Sequence, residues 1–181
     1  MQSLYGEVSS DIVAKAKNIK LLVCDVDGVF SDGRIYLGNN GEELKAFHTK
    51  DGFGIKALAA SGVVIAIITG RRSALVANRM KALNVTHIIQ GEENKLPALE
   101  RLIKSLQLSM EQVAYIGDDV PDLACINAVH LGISVKDAHP LVVQDSNYTT
   151  FMLGGFGAVR EVCDLIMQSQ GTLAQAKGAS I

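Results

Sequence analysis

Two carboxylates stand two residues apart at Asp25 and Asp27, directly before Gly28, and two more are adjacent at Asp118 and Asp119. Thr69 and Lys95 lie between these pairs along the chain. Paired acids, a hydroxyl and an ammonium are what phosphoryl transfer needs. They can serve as a carboxylate nucleophile, hard oxygen ligands for Mg²⁺, and donors for the equatorial phosphoryl oxygens. A carboxylate attacks a dianionic phosphate only when cations offset the repulsion, and an alkoxide leaving group needs a proton as it departs. Each piece also has a plainer reading. Asp25–Gly28 could supply turn chemistry alone, and Gly117-Asp118-Asp119 could open a helix with acids near its N-terminus. Thr69-Gly70 could be a turn and Lys95 a solvated helix residue. What chance does not readily supply is all four in this order.

The surrounding pattern shows what must position these groups. Leu21–Cys24 is a short continuous apolar run, as in a strand buried on both faces of a parallel sheet, and the spacing extends it over Lys20–Val26. Further strands are expected at Val63–Ile68, Thr86–Ile89, Val113–Ile116 and His130–Ser134. Between them, helical spacing predicts helices over Ile12–Lys17 (capped by Ser10-Asp11), Ile55–Ala60, Ser73–Leu83, Asn94–Leu106, Asp122–Val129 and Gly157–Gln168. Alternation of this kind argues for an α/β fold, a Rossmann-like parallel sheet flanked by helices. Ligands of such sheets bind beyond the carboxyl ends of the strands, where Asp25, Asp27, Thr69, Asp118 and Asp119 would emerge. Residues 32–47 read as a β-hairpin inserted after the first strand, turning at Gly38–Gly41, and His48–Gly54 as a polar stretch before the next helix.

At 181 residues, 48% of them hydrophobic, the chain can build one full core, so a single domain over 1–170 is expected. Residues 171–181 are small and polar and read as a flexible C-terminal tail, although Thr172–Lys177 also contains good helix formers. A formal net charge of -2 gives no nucleic-acid footprint. No apolar run is long enough to span a bilayer, and no signal pattern opens the chain, so a cytoplasmic protein without a membrane partner is expected. Cys24, Cys125 and Cys163 are scattered and odd in number, which suits reduced thiols. Gly154-Gly155-Phe156-Gly157 lacks the third glycine and the strand context of a dinucleotide fingerprint.

D-V-D-G at Asp25–Gly28, the strand ending in Thr69, Lys95, and G-D-D-x-x-D at Gly117–Asp122 resemble the four motifs of the haloacid dehalogenase superfamily. The resemblance implies a Mg²⁺-dependent phosphatase in which Asp25 forms an aspartyl-phosphate and Asp27 acts as general acid and then base. It implies metal held by Asp25, the Asp27 carbonyl and Asp118, with Asp119 supporting the shell, and Thr69 and Lys95 as further catalytic groups. A dehalogenase is disfavoured, since those relatives lack an acid where Asp27 stands. The intervals between the motifs leave no room for a cap domain, so a cover from a neighbouring subunit is expected. Phe47–Gly54, Ile68–Arg71 and Gly154–Glu161 narrow the resemblance to the capless branch acting on sugar-acid phosphates. That branch implies a homotetramer centred on the hairpins, an eight-carbon sugar-acid phosphate as substrate, and a place in lipopolysaccharide precursor synthesis. It further implies that Asp27, His48, Thr49, Lys50, Asp51, Gly52, Lys56, Gly70, Arg71, Arg79 and Lys95 contact substrate, some from an adjacent subunit. Arg71 and Arg79 could share a helix face toward a carboxylate, though a solvated face is open for Arg79. A nine-carbon sialic-acid-type phosphate is the alternative substrate. From other classes, a receiver domain of two-component signalling and a catalytically idle domain of the same fold are the rivals. The tail 171–181 is expected to fold over a neighbour's site, with the neighbour's hairpin as the other lid candidate.

Overall fold

A computed structural model describes residues 1–177. In chain order the elements are α1 (Ser10–Lys17), β1 (Leu21–Cys24), β2 (Tyr36–Leu37), β3 (Glu43–Leu44), α2 (Thr49–Ala60), β4 (Val64–Thr69), α3 (Ala74–Ala82) and β5 (His87–Gln90). There follow α4 (Lys95–Ser105), β6 (Val113–Gly117), α5 (Leu123–Ala128), β7 (Leu131–Ser134), α6 (Pro140–Asp145), β8 (Tyr148–Thr149) and α7 (Ala158–Gln170). Six strands form one parallel sheet in the order β5-β4-β1-β6-β7-β8, and β2 pairs antiparallel with β3 apart from it.

The expected α/β sheet is therefore present, and its centre explains why Leu21–Cys24 is apolar throughout. Side chains alternate across a strand. Leu22 and Cys24 enter one core with Ile12, Leu58 and Val162, from α1, α2 and α7. Leu21 and Val23 enter a second core with Leu99, Leu102 and Ile126, from α4 and α5. Both faces are covered, so no position of β1 can be polar until the strand ends. Cys24 is in register with Ile67 of β4 and Ile116 of β6. Asp25, Thr69 and Asp118 consequently leave the sheet at adjacent levels of one edge.

Several boundaries differ from the sequence reading, for local reasons. Ser9, not Ser10, caps α1, accepting from Ile12 N–H. The polar stretch at His48–Gly54 is already helix: His48 caps α2 through Nδ1, which accepts from Lys50 N–H at 3.1 Å. Gly52 and Gly54 inside that helix lie close to Arg79 and Arg160, which an added Cβ would crowd. A 3-10 turn at Val120–Asp122 precedes α5. The hairpin strands are shorter than expected, and Tyr36, Leu37 and Leu44 are exposed on them. Neither α6 nor β8 was legible, being six and two residues long. Part of the expected tail is folded: Leu173–Gln175 is a 3-10 turn, and Leu173 and Ala176 lie against the core. Thr172–Lys177 flanks Ala57 and Ser61, near the end of the sheet where β4 begins, away from the strand ends that carry the acids. The remainder of that tail, 178–181, lies outside the described residues.

Asp51 is buried in the α2–α7 contact, and its Oδ1 accepts from Arg160 N–H at 2.8 Å. Gly157 at the start of α7 has no side chain to cap the helix, so Asp51 satisfies an end donor from another element. Burial pushes its carboxyl up to about 6, against the opposing effect of the hydrogen bond from Arg160 N–H. A folded value above the ordinary 3.8 means the native state retains a proton that the unfolded chain has released. Stability from this group is complete at low pH and is lost as pH rises through about 6. Urea unfolding should show this against Asp51→Asn, which keeps the acceptor and cannot ionise. Between pH 4 and 6.5 the gap should widen in the variant's favour by on the order of 2 kcal/mol, whereas Asp51→Ala, lacking the cap, should lose about 1–2 kcal/mol. Parallel pH curves for wild type and Asp51→Asn would show that Asp51 is ionised throughout.

Candidate active site

Asp25 follows β1, Thr69 ends β4, Lys95 opens α4 and Asp118 follows β6, so four elements deliver one group each. They meet at a cleft of about 600 Å³, also lined by Asp27, Gly70, Arg71 and Asp119. Lys95 Nζ lies 2.9 Å from Asp25 Oδ2 and 2.7 Å from Asp122 Oδ1, and all three side chains are largely buried. Burial alone would push the Lys95 ammonium toward neutrality, but Asp25 and Asp122 more than offset it, and its pKa is raised.

Asp122 was quoted in the sequence motif but not singled out as a site residue. Its Oδ1 accepts from Lys95 and from Tyr115 Oη at 2.7 Å, and its Oδ2 accepts from Asp118 N–H at 3.1 Å and Asp119 N–H at 3.3 Å. A carboxylate offers roughly four acceptor directions, and all are engaged here. Asp122 is therefore a holder of Lys95 and of the loop after β6. The signal was available as the third acid of G-D-D-x-x-D at Gly117–Asp122.

Asp25 differs. Its Oδ1 is buried and has no hydrogen-bond partner among the described residues. Oxygens of Asp25, Asp118 and Asp122 lie within 4.8 Å of one another. Burial, then the charge of Asp122, raises the Asp25 carboxyl to about 6, and burial, then the charge of Asp25, raises Asp118 to about 8. Three acids against one ammonium leave an excess of negative charge that a small oxygen-seeking dication would relieve. With Asp122 engaged elsewhere, Asp25 and Asp118 are the carboxylates with oxygens to offer. Gly28 makes room for this pair: a Cβ there would run into the Asp118 carboxylate, and the residue holds a φ of 87°.

The other expected residues divide clearly. The Asp27 carboxylate lines the cleft and pairs with Lys45, and with Arg71 at 3.9 Å. Asp119 is exposed and its Oδ1 accepts from Val120 N–H at 2.8 Å, so its carboxylate serves the turn rather than the cluster. His48, Thr49, Lys50, Asp51, Gly52, Lys56 and Arg79 do not line this cleft. His48 and Asp51 cap helices, and Gly52 lies beside Arg79. Two hairpin residues were missed. Lys45, buried at its side chain, pairs with Asp27 and Glu43, and Glu43 in turn pairs with Arg71 and accepts from Ser73 Oγ. Nothing in the sequence marks them, because a hairpin shows no address for its side chains.

A family model for haloacid dehalogenase-like hydrolases matches residues 84–152. The 3-deoxy-D-manno-octulosonate 8-phosphate phosphatase KdsC of Escherichia coli strain K12 is 52% identical over 181 residues, covering 100% of this chain and 96% of that protein. The crystal structure of the Yersinia pestis 3-deoxy-D-manno-octulosonate 8-phosphate phosphatase matches with a TM-score of 0.98 at 51% identity, over 100% of this chain and 98% of that one. The Moraxella catarrhalis phosphatase of the same name, solved with magnesium ion, phosphate ion and KDO, matches with a TM-score of 0.91 at 47% identity, over 93% and 97% of the two chains.

The fit of Gly28 against Asp118 gives a direct test of the site. Gly28→Ala should displace the Asp118 carboxylate while leaving both cores intact. Misplacement on the scale of 1 Å costs about 100-fold in turnover, so Mg²⁺-dependent phosphatase activity should fall by about that factor. Wild-type activity in a folded Gly28→Ala protein would exclude Asp118 from the reaction.

Proposed function

The chain belongs to the haloacid dehalogenase-like hydrolases, and we propose that it hydrolyses 3-deoxy-D-manno-octulosonate 8-phosphate to the free sugar acid and phosphate. The observation that carries this reading is the buried Asp25, with one oxygen held by Lys95 and the other unpartnered at the floor of an open cleft. Full-length similarity to phosphatases of that name supports the eight-carbon substrate over a nine-carbon one. A receiver domain is not favoured, because β4 and β5 carry no acceptor aspartate.

In the proposed reaction Asp25 attacks the phosphorus, forming the aspartyl-phosphate as the sugar oxygen leaves. Asp27 protonates that oxygen and then takes a proton from the hydrolytic water. Lys95 stays charged beside Asp25 and neutralises the oxygens that approach it, while the Thr69 hydroxyl offers a donor at the same strand edge. Mg²⁺, for which Asp25 and Asp118 are the carboxylates with oxygens to offer, would supply charge neutralisation for the phosphoryl group.

The cleft is open, and a phosphoenzyme needs water admitted only in a controlled way. We place its cover on neighbouring copies in a homotetramer, which agrees with two observations. Tyr36, Leu37 and Leu44 expose apolar surface on a hairpin too small to be stable alone. Of the expected substrate contacts outside their own subunit's cleft, His48, Thr49, Lys50, Lys56 and Arg79 would contribute to that of a neighbour, while Asp51 and Gly52 are buried within their own subunit. No described helix is long and apolar enough to cross a membrane, and a cytoplasmic role in lipopolysaccharide precursor synthesis belongs to the same reading.

Purified enzyme given a panel of eight- and nine-carbon sugar-acid phosphates should release phosphate fastest from the eight-carbon ester, and only with Mg²⁺. Preference for the nine-carbon ester would overturn the substrate assignment. Asp25→Asn should cost on the order of 10³ or more in turnover. Asp27→Asn should separate two substrates: phosphoenzyme formation should drop steeply with the sugar phosphate and much less with an aryl phosphate, whose leaving group needs little protonation. Equal loss with both would make Asp27 structural.

A further inference from the structure

Glu161 is a buried carboxylate that the proposed chemistry does not use, and it lies one turn into α7, away from the cleft. Its Oε1 accepts from Tyr148 Oη at 2.6 Å and Phe151 N–H at 2.9 Å, and its Oε2 accepts from Met152 N–H at 2.9 Å. Three donors from one segment thus converge on a single anion, and hydrogen bonds to an ionised acceptor are the strong ones. An apolar residue in that place would leave buried donors unsatisfied.

The stretch that continues from these donors, 150–155, touches the loop after β1, which carries Asp25, and the loop after β7, which in turn reaches the Asp118 carbonyl. On one side Gly155 N–H donates to Val29 C=O at 2.9 Å. A Cβ at Gly154 would strike the Gly28 carbonyl, and one at Gly155 would strike the backbone of Ser31 and Asp32. On the other side Gly154 N–H donates to Asp137 Oδ1 at 2.8 Å, and Lys136 N–H donates to Thr150 Oγ1 at 3.0 Å. The same 135–139 stretch reaches the site, where His139 N–H donates to the Asp118 carbonyl at 2.7 Å. Gly28, against which Gly154 lies, is itself in contact range of the Asp118 carboxylate. One short segment therefore spans the loop after β1 and the loop after β7, and those two loops flank Asp25 and Asp118.

We propose that Glu161, through the Gly154-Gly155 segment it holds, is a positioning residue that sets the separation of Asp25 and Asp118 for a divalent cation. The glycine-rich motif at Gly154–Gly157, which fits no nucleotide loop, is then a close-approach surface: only a residue without Cβ lets this backbone lie on the nucleophile's own loop. Release of the segment would free Gly28 and the Asp118 carbonyl together, and the two carboxylates would lose their fixed spacing. The inference rests on the phosphatase reading above, but its test does not need turnover.

The test is Mn²⁺ binding to metal-free enzyme, followed by electron paramagnetic resonance, in wild type, Glu161→Gln, Gly155→Ala and Val162→Ala. Groups that orient metal ligands from behind cost about 10–100-fold in affinity when removed, so Glu161→Gln and Gly155→Ala should each weaken Mn²⁺ binding by at least about tenfold. Val162→Ala removes core volume from the same helix without touching the segment, and should bind Mn²⁺ as wild type does. Wild-type affinity in Glu161→Gln and Gly155→Ala, or equal weakening in Val162→Ala, would overturn the proposal in favour of a purely structural role. Should Glu161→Gln not fold, Tyr148→Phe takes its place: a smaller weakening supports the brace, and unchanged binding overturns it. Failure of the wild type to hydrolyse the sugar phosphate would overturn the function proposed above, and leaves this comparison of affinities standing as its own result.

Discussion

A single buried ammonium holds the site together. Lys95 lies between Asp25 and Asp122, and removing it would leave two carboxylates facing each other out of water. Breaking a buried ion pair by deleting one partner costs about 3–5 kcal/mol, because the charge left behind has no compensation. The arrangement also explains the division of labour among the acids. Asp122 can be fully hydrogen-bonded because it never has to react. Asp25 must keep an oxygen without a partner, and that is tolerable only beside a fixed positive charge. A reactive group in a folded protein is an exception to satisfied bonding, and here Lys95 supports the exception.

Strand ends were legible in the sequence where helix ends and side-chain addresses were not. Leu21–Cys24 could be read as a central strand because a strand covered on both faces has no polar position, and Asp25 could be read as a site because nothing in a core uses it. Asp25, Thr69, Lys95 and Asp118 accordingly meet as expected. Asp51 shows where such reading stops. A conspicuous acid in a polar, glycine-bearing stretch looks like a ligand contact, yet within its own subunit it caps α7 through Arg160 N–H. That bond joins residues over a hundred positions apart, and no local pattern announces it. Lys45 and Glu43 were missed for the same reason. Asp119 was expected to support the metal shell beside Asp118, but two residues past the end of β6 it is at the surface and accepts from Val120 N–H.

The cations around Asp27 show how the hairpin and the catalytic edge share electrostatics. Lys45 comes from the hairpin and Arg71 from the loop after β4, and both converge on Asp27 and Glu43. The Lys45 side chain is shielded from solvent, so its attraction for Asp27 is weakly screened by salt, while Arg71 is half exposed and its pairing is weak. Entry of an anionic substrate would therefore compete first for Arg71. The hairpin is then tied to the chemistry by an ion pair at its base while Tyr36, Leu37 and Leu44 on its strands stay exposed.

The order of the strands has a consequence for when the protein becomes an enzyme. β1 is made early, but its two neighbours, β4 and β6, come from the middle and the later part of the chain, and the segment that lies on its loop comes later still. Pairings so distant in sequence must close long loops before any contact rewards them, and folds rich in such pairings form slowly. On a ribosome the apolar run Leu21–Cys24 therefore waits, uncovered on both edges, while more than half of the chain is still to be synthesised. A nascent chain released before Glu161 would carry every catalytic group and still lack the support behind them. Such a protein cannot gain activity piecemeal. Until β4 and β6 have been made, Leu21–Cys24 is an exposed apolar strand of the kind that makes an unfinished chain prone to aggregation.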